Sequence, residues 1–203
     1  DNVILYAQDE FEVNDLLTLT GGARMEFHSV YGDHFTPQVS AMLSPGNFKF
    51  RGSYGKGFRA PTVKELYTDH YRIPVPGAPF PMYLDGNADL KPEESNYYSA
   101  SVQYTNEKID VSAIYSVNEI SNLITTDSIY KVVMDFTVMP PRPSEIDYIY
   151  SNVEEARISS LSFLLKYRLT NDLTFSASLK YSDPKTLTTD DDLLNIRKNN
   201  ARF

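Results

Sequence analysis

Leu17-Thr18-Leu19-Thr20-Gly21-Gly22-Ala23-Arg24-Met25-Glu26-Phe27-His28 separates cleanly when every second residue is taken together. One set is Leu17, Leu19, Gly21, Ala23, Met25 and Phe27; the other is Thr18, Thr20, Gly22, Arg24, Glu26 and His28. Successive side chains of a β-strand point to opposite faces, so this is the signature of a strand with one apolar and one polar face. The same rhythm returns in Phe48, Phe50, Gly52, Tyr54 against Lys49, Arg51, Ser53. It returns again in Tyr98, Ala100, Val102, Tyr104 against Ser99, Ser101, Gln103, and in Leu173, Phe175, Ala177, Leu179, Tyr181 against Thr174, Ser176, Ser178, Lys180. About eight such segments are predicted, near residues 3–12, 17–29, 35–43, 48–54, 95–105, 108–120, 152–169 and 172–182.

Composition agrees with an all-β chain. The 203 residues include 15 Tyr, 11 Phe, 12 Pro and 9 Gly but no Cys and no Trp, a balance that favours strands and turns over helix bundles. Without Cys there is no disulfide framework, cysteine zinc site or thiol nucleophile. A net charge of −8 excludes nucleic acid as the expected partner, since that surface needs a clustered basic stripe. No apolar run approaches the roughly 20 residues of a membrane-spanning helix, but a barrel crosses with short alternating strands of modest hydropathy. The first residues, Asp1-Asn2-Val3-Ile4-Leu5-Tyr6, carry no basic region, apolar signal core or cleavage site, and read as mid-strand in a longer chain.

The connections alternate in length. Asn14-Asp15, Ser44-Pro45-Gly46-Asn47, Thr105-Asn106-Glu107 and Thr170-Asn171-Asp172 are tight-turn sequences. The intervening connections are long, at 55–94, 121–151 and beyond Asp183, with only Val30 to His34 short. Short turns at one end and long loops at the other are the plan of an antiparallel up-and-down outer-membrane barrel. Aromatics mark both ends of the apolar faces: Phe11, Phe48, Tyr104 and Tyr167 near the turns, and Phe27, Phe35, Tyr54 and Tyr181 near the loops, as two interfacial girdles would. Arg24, Glu26, Lys49, Arg51, Lys166 and Lys180 fall on the polar face, where a barrel has its lumen. The proline-rich stretches Ile73–Pro81 and Met139–Pro143 are expected outside the central strands, because proline lacks the ladder donor.

Two boxes complete the pattern: Gly57-Phe58-Arg59-Ala60-Pro61 with Glu65-Leu66-Tyr67, and Gly86-Asn87-Ala88-Asp89-Leu90-Lys91-Pro92-Glu93. With Tyr6-Ala7-Gln8-Asp9-Glu10, the Leu17 strand and His34-Phe35-Thr36-Pro37 in the same order, the chain resembles the barrel region of TonB-dependent outer-membrane receptors. The resemblance implies a 22-stranded barrel of the plugged type, importing a scarce metal chelate (a siderophore complex, cobalamin or haem) with energy delivered by the TonB complex through a plug domain. It implies an outer-membrane location in a Gram-negative cell and contact with outer-membrane lipid; no enzymatic activity and no resident cofactor are expected of these residues. About eight strands cannot close such a barrel, so residues 1–203 are expected to form part of one, without the plug or the terminal strands.

Within the boxes, Pro61 biases Ala60 towards extended backbone, and Thr62 is placed to cap a short helical turn over Val63–Tyr67. Arg59 is expected to pair with Glu65 or Glu93 and fix the loop, the alternative being a loop residue that faces the ligand. Asn87, Asp89, Leu90 and Pro92 complete the second box. Tyr67, His70, Tyr71, Phe80 and Tyr83, in the loop between the boxes, are the expected ligand contacts. In the haem-importing branch such a loop carries an iron-coordinating His, a role that falls here to His70 with Tyr71 or Tyr67, although Ala88 stands where that branch usually has Pro. Asp190, Asp191 and Asp192, with Asp183 nearby, offer oxygen ligands for calcium without EF-hand spacing. None of His28, His34 and His70 has a nucleophile elbow or metal-ligand spacing beside it. Two other architectures fit the alternation: a soluble β-sandwich binding module and a complete eight-stranded barrel with a structural or adhesive role.

Overall fold

The computed structural model describes residues 2–187 and 199–202. Eight long strands follow the predicted segments: β1 (Asn2–Asn14), β2 (Leu17–His28), β3 (Gly32–Leu43), β4 (Phe48–Arg59), β7 (Glu93–Thr105), β8 (Ile109–Asp135), β9 (Arg142–Arg168) and β10 (Thr174–Thr186). A short helix, α1 (Val63–Tyr67), and two short strands, β5 (Tyr71–Ile73) and β6 (Met82–Asp85), lie between β4 and β7; β11 (Asn199–Arg202) follows β10. The hydrogen-bonded order is β1-β2-β3-β4-β7-β8-β9-β10-β11, with β6 between β5 and β9. Contacts divide the described residues into two units, drawn from Asp1–Phe58, Glu94–Ile120 and Glu155–Phe203 in one and from Arg59–Glu93 and Ser121–Glu154 in the other.

In the first unit the register carries the alternation from strand to strand. Phe11 faces Leu19, Leu5 faces Met25, and Met25 in turn faces Phe35. Leu161, Phe163, Leu165 and Tyr167 of β9 face Tyr181, Leu179, Ala177 and Phe175 of β10. These apolar residues therefore meet one another across the ladder, and the rows join into one apolar face. Phe175 and Tyr181 lie six residues apart, about 20 Å along the strand, which suits an apolar band about 25 Å tall.

That face is not buried. Leu5, Phe35, Phe163, Leu179 and Tyr181 are exposed, and the buried hydrophobic residues described are Leu84, Leu90 and Ala156 besides the prolines Pro61 and Pro184. A sandwich would have covered this face with a second sheet; a barrel wall leaves it to lipid. On the opposite face, buried Glu26 accepts a bond from Asn2 Nδ2 at 2.8 Å and pairs with Arg24, while Arg51 lies against the Met42 sulfur. Ser160 and Ser182 bond each other at 3.0 Å in a buried position.

The predicted loop 121–151 is instead largely strand, and the predicted loop 55–94 gives up its first residues to one. Gly55–Arg59 completes β4, and β8 and β9 run on through 121–135 and 142–151. Each of these two strands has 27 residues, about 90 Å of extended chain, where crossing a membrane needs about 9–11. Outside a bilayer nothing enforces an apolar-out, polar-in rhythm, and the pattern lapses in Ser121–Asp135 although the backbone stays extended. Arg142 and Pro143 open β9, at the start of a strand, where proline is tolerated. The other proline stretch is a turn between β5 and β6: Ala78 N–H donates to Val75 C=O at 3.2 Å, Pro76 occupies the second position, and Gly77 takes φ +80°. Asp190–Asp192, the suggested calcium ligands, lie outside the described residues.

Candidate functional site: a pinned loop between two motif boxes

The second unit is organised by Arg59, the last residue of β4. Its Nε and Nη2 donate to Glu93 Oε2 and Oε1 at 2.6 and 2.7 Å, and its Nη1 donates to both oxygens of Glu65 at 3.0 Å. The planar guanidinium presents donors on two edges, and here each edge holds one carboxylate. Glu93 Oε1 also accepts the Ile124 N–H at 2.7 Å, which ties the network to β8. Sequence reasoning offered Glu65 or Glu93 as the partner of Arg59; the fold supplies both at once.

Glu65 has a second task. Thr62 is the N-cap of α1, and its hydroxyl accepts the Glu65 N–H at 3.3 Å while Glu65 Oε2 accepts the Thr62 N–H at 2.7 Å, closing a capping box. Partial burial alone would push the Glu65 carboxyl up, but the Thr62 N–H, the Arg59 guanidinium and the Thr62 hydroxyl outweigh it and hold it below the usual carboxylate range. A carboxyl depressed in the folded state contributes stability above its unfolded value, near about pH 4.3, and loses it as pH falls through the folded value. Pepsin cleavage within 59–93 is therefore expected to stay slow down to about pH 4 and accelerate below it, with the acid-dependent part absent in Glu65→Gln. Equal acid sensitivity in that variant would assign the transition elsewhere.

The second box fastens the loop to β8 and β9. Asn87 Nδ2 donates to Tyr150 C=O at 3.0 Å, and its Oδ1 accepts the Asp89 N–H at 2.9 Å. Leu90 is buried, and Lys91 exchanges two bonds with Asn152, N–H to Oδ1 at 2.9 Å and C=O from Nδ2 at 3.0 Å. Asn152 Nδ2 also reaches the carbonyl of Asn122, a residue with φ 56° in β8. Nothing in the sequence marks Asn152, which lies 61 residues from Lys91. Of the remaining motif residues, Pro61 is buried, Ala60 and Pro92 are half-buried and Asp89 is exposed. In the first unit, the Phe58 ring stacks on His34 at 3.5 Å, and Gly57 leaves room for Ser95.

The expected ligand contacts are dispersed. Tyr67 is 69% exposed at the end of α1, and Tyr71 stands exposed with the Lys64 ammonium 5.7 Å from its ring centre. His70 stacks on Tyr83 with centroids 3.8 Å apart. Phe80 lines a separate proline-walled groove of about 560 Å³ with Pro74, Pro76, Pro79 and Pro81. His70 and Tyr83 are thus brought together, while Tyr67, Tyr71 and Phe80 each present a surface of their own.

A family model described as TonB dependent receptor-like, beta-barrel, matches residues 1–203. The chain belongs to the TonB-dependent receptor β-barrel family. Among its relatives is a vitamin B12 transporter, BtuB of Photobacterium profundum, 26% identical over an alignment of 204 residues that covers 100% of this chain and 29% of BtuB. Another is the ferric enterobactin receptor PirA of Pseudomonas aeruginosa, 25% identical over an alignment of 185 residues that covers 87% of this chain and 24% of PirA. The crystal structure of that organism's siderophore receptor PirA matches the fold with a TM-score of 0.75 at 22% identity, over 91% of this chain and 34% of the receptor. The chain spans less than a third of the length of the curated relatives it matches. Membership places this TonB-dependent receptor chain in the outer membrane of a Gram-negative cell.

Proposed function

We propose that this chain forms part of the barrel wall and external loops of an outer-membrane active-transport receptor that captures a metal chelate for TonB-energised import. The observation that carries the reading is the loop unit itself. Motif residues from both boxes spend their polar atoms on fixing α1, β5 and β6 against the long β8 and β9, and the held loop presents exposed Tyr67 and Tyr71, the His70–Tyr83 stack and the Phe80 groove. Rigid aromatic surface is what a large, flat, partly apolar chelate needs, because it offers contact area at little cost in side-chain entropy. The named relatives, a vitamin B12 transporter and a ferric enterobactin receptor, point to metal chelates as the ligand class. The TonB complex would act through the plug of the complete receptor, and this chain would supply capture and channel wall.

The complete receptor in detergent is expected to show saturable quenching of tyrosine fluorescence with one of three probes: ferric enterobactin, cobalamin or haem. The Tyr67→Ala/Tyr71→Ala pair is expected to weaken that binding by about 10-fold or more, as loss of two stacking rings would. Absence of quenching by all three overturns the reading. Haem would call on His70 with Tyr71 for its iron, and a Soret band that persists in the His70→Ala/Tyr71→Ala double variant removes that assignment alone.

A further inference from the structure

His70, Asp85 and Asp147 meet in the loop unit, with one ligand atom of each lying within 4.8 Å of the others. Three separate segments bring them there. Tyr71 pairs with Leu84 in the β5–β6 ladder, which sets His70 beside Asp85 at the end of β6. β6 also runs parallel to β9 with Tyr83 opposite Asp147, and Tyr83 and Asp85, two apart, share a face. His70 takes φ 43°, a left-handed conformation uncommon outside glycine, and is held in it by its N–H bond to Asp85 Oδ1 at 2.7 Å and by its ring against Tyr83.

The carboxylates are each half engaged. Asp85 Oδ1 takes the His70 N–H. Asp147 Oδ2 lies 3.6 Å from the Lys131 ammonium, whereas Asp147 Oδ1 is buried with no hydrogen-bond partner among the described residues. Asp147 is only 3% exposed, and a buried carboxylate oxygen without a partner is costly unless something cationic satisfies it.

We propose that His70, Asp85 and Asp147 bind a divalent transition-metal ion of the zinc type directly, as a bare ion with no chelating cofactor. One imidazole and two carboxylates are ligands zinc accepts, and three protein ligands leave a coordination position for water. The two carboxylates neutralise the ion's charge, and the His70 N–H on Asp85 Oδ1 orients that carboxylate as an outer-shell partner does, while the Lys131 ammonium competes with the ion for Asp147. Calcium fits less well, since it takes six to eight oxygens and not imidazole. Haem iron fits less well too, because the porphyrin occupies four positions and leaves no room for two carboxylates beside one histidine.

This proposal does not rest on which chelate the receptor carries. The test uses the complete receptor in detergent, stripped with a chelator and titrated with Zn²⁺ by calorimetry, with Co²⁺ as an absorption probe for nitrogen and oxygen ligation. Wild type is expected to bind one equivalent of Zn²⁺ more than His70→Ala, or to bind it more than about 10-fold more tightly, the least that loss of a direct ligand should cost. Asp147→Asn is expected to match His70→Ala. Lys131→Gln is expected to tighten Zn²⁺ binding by removing the competing ammonium, a change that a purely structural cluster would not produce. Heat-modifiable migration on gels monitors the barrel, and exposed His70 carries the test if Asp147→Asn does not fold. Equal Zn²⁺ stoichiometry and affinity in wild type and His70→Ala overturns the site. That outcome leaves chelate binding to be judged separately by tyrosine quenching.

Discussion

Gly86→Ala is expected to release the loop unit while leaving the barrel wall in place. A β-carbon on Gly86 would stand 2.6 Å from Thr68 N and 2.7 Å from both Leu66 C and Leu66 O. All three are backbone atoms, so no side chain can swing away and relieve the contact. The closeness has a cause: the last carbonyls of α1 lack intrahelical partners, and Gly86 N–H and Asn87 N–H satisfy Thr68 C=O and Glu65 C=O at 2.7 and 2.9 Å. Separating the two backbones enough for a methyl group costs both bonds as well as strain, about 3 kcal/mol or more together. Trypsin is expected to cleave Gly86→Ala within 59–93 under conditions where the parent resists, with heat-modifiable migration of the barrel unchanged. Gly57→Ala is the matched control. Its β-carbon would meet only the Ser95 hydroxyl oxygen, at 2.5 Å, and a hydroxyl can rotate away, so the expected loss is under about 1 kcal/mol. Equal protease resistance in the two variants would refute the account of Gly86.

Arg59→Ala is expected to be the other severe change. It leaves Glu65 and Glu93, each with a side chain 14% exposed, facing each other without their cation. Breaking a fully buried pair in this way costs about 3–5 kcal/mol. Water reaches this one, since the Arg59 side chain is 41% exposed, and re-solvation brings the expected loss to about 2 kcal/mol. Arg59→Lys is expected to rescue little, because one ammonium cannot hold two carboxylates on two edges. The measurements are chelate binding and loop proteolysis: both should deteriorate in Arg59→Ala and in Arg59→Lys alike. Full recovery with lysine would reduce the role of Arg59 to charge alone.

The strands of the wall were legible because lipid and lumen impose opposite demands on alternate residues, and Leu17–His28 or Leu173–Tyr181 display both. The same logic failed for 121–135 and 142–151, where the chain is extended without a bilayer to sort its faces. Thr62, Glu65 and Arg59 were legible as a cap and an ion pair because their partners are close in sequence or are obvious opposite charges. Asp147 and Asn152 were not. Each acquires its role from a neighbour more than sixty residues away along the chain, Asp85 through the β6–β9 pairing or Lys91 through its two bonds to Asn152.

The amino-acid sequence by itself determined the all-β class, the two faces of the wall, the tight turns and the two motif boxes, since all of these are carried by spacing along the chain. Only the tertiary structure decided that Arg59 holds two carboxylates at once, that Gly86 must have no side chain, and that His70 meets Asp85 and Asp147. Those facts depend on strand register and on which distant segments share a ladder, and a ladder is made by backbone groups that every sequence carries alike.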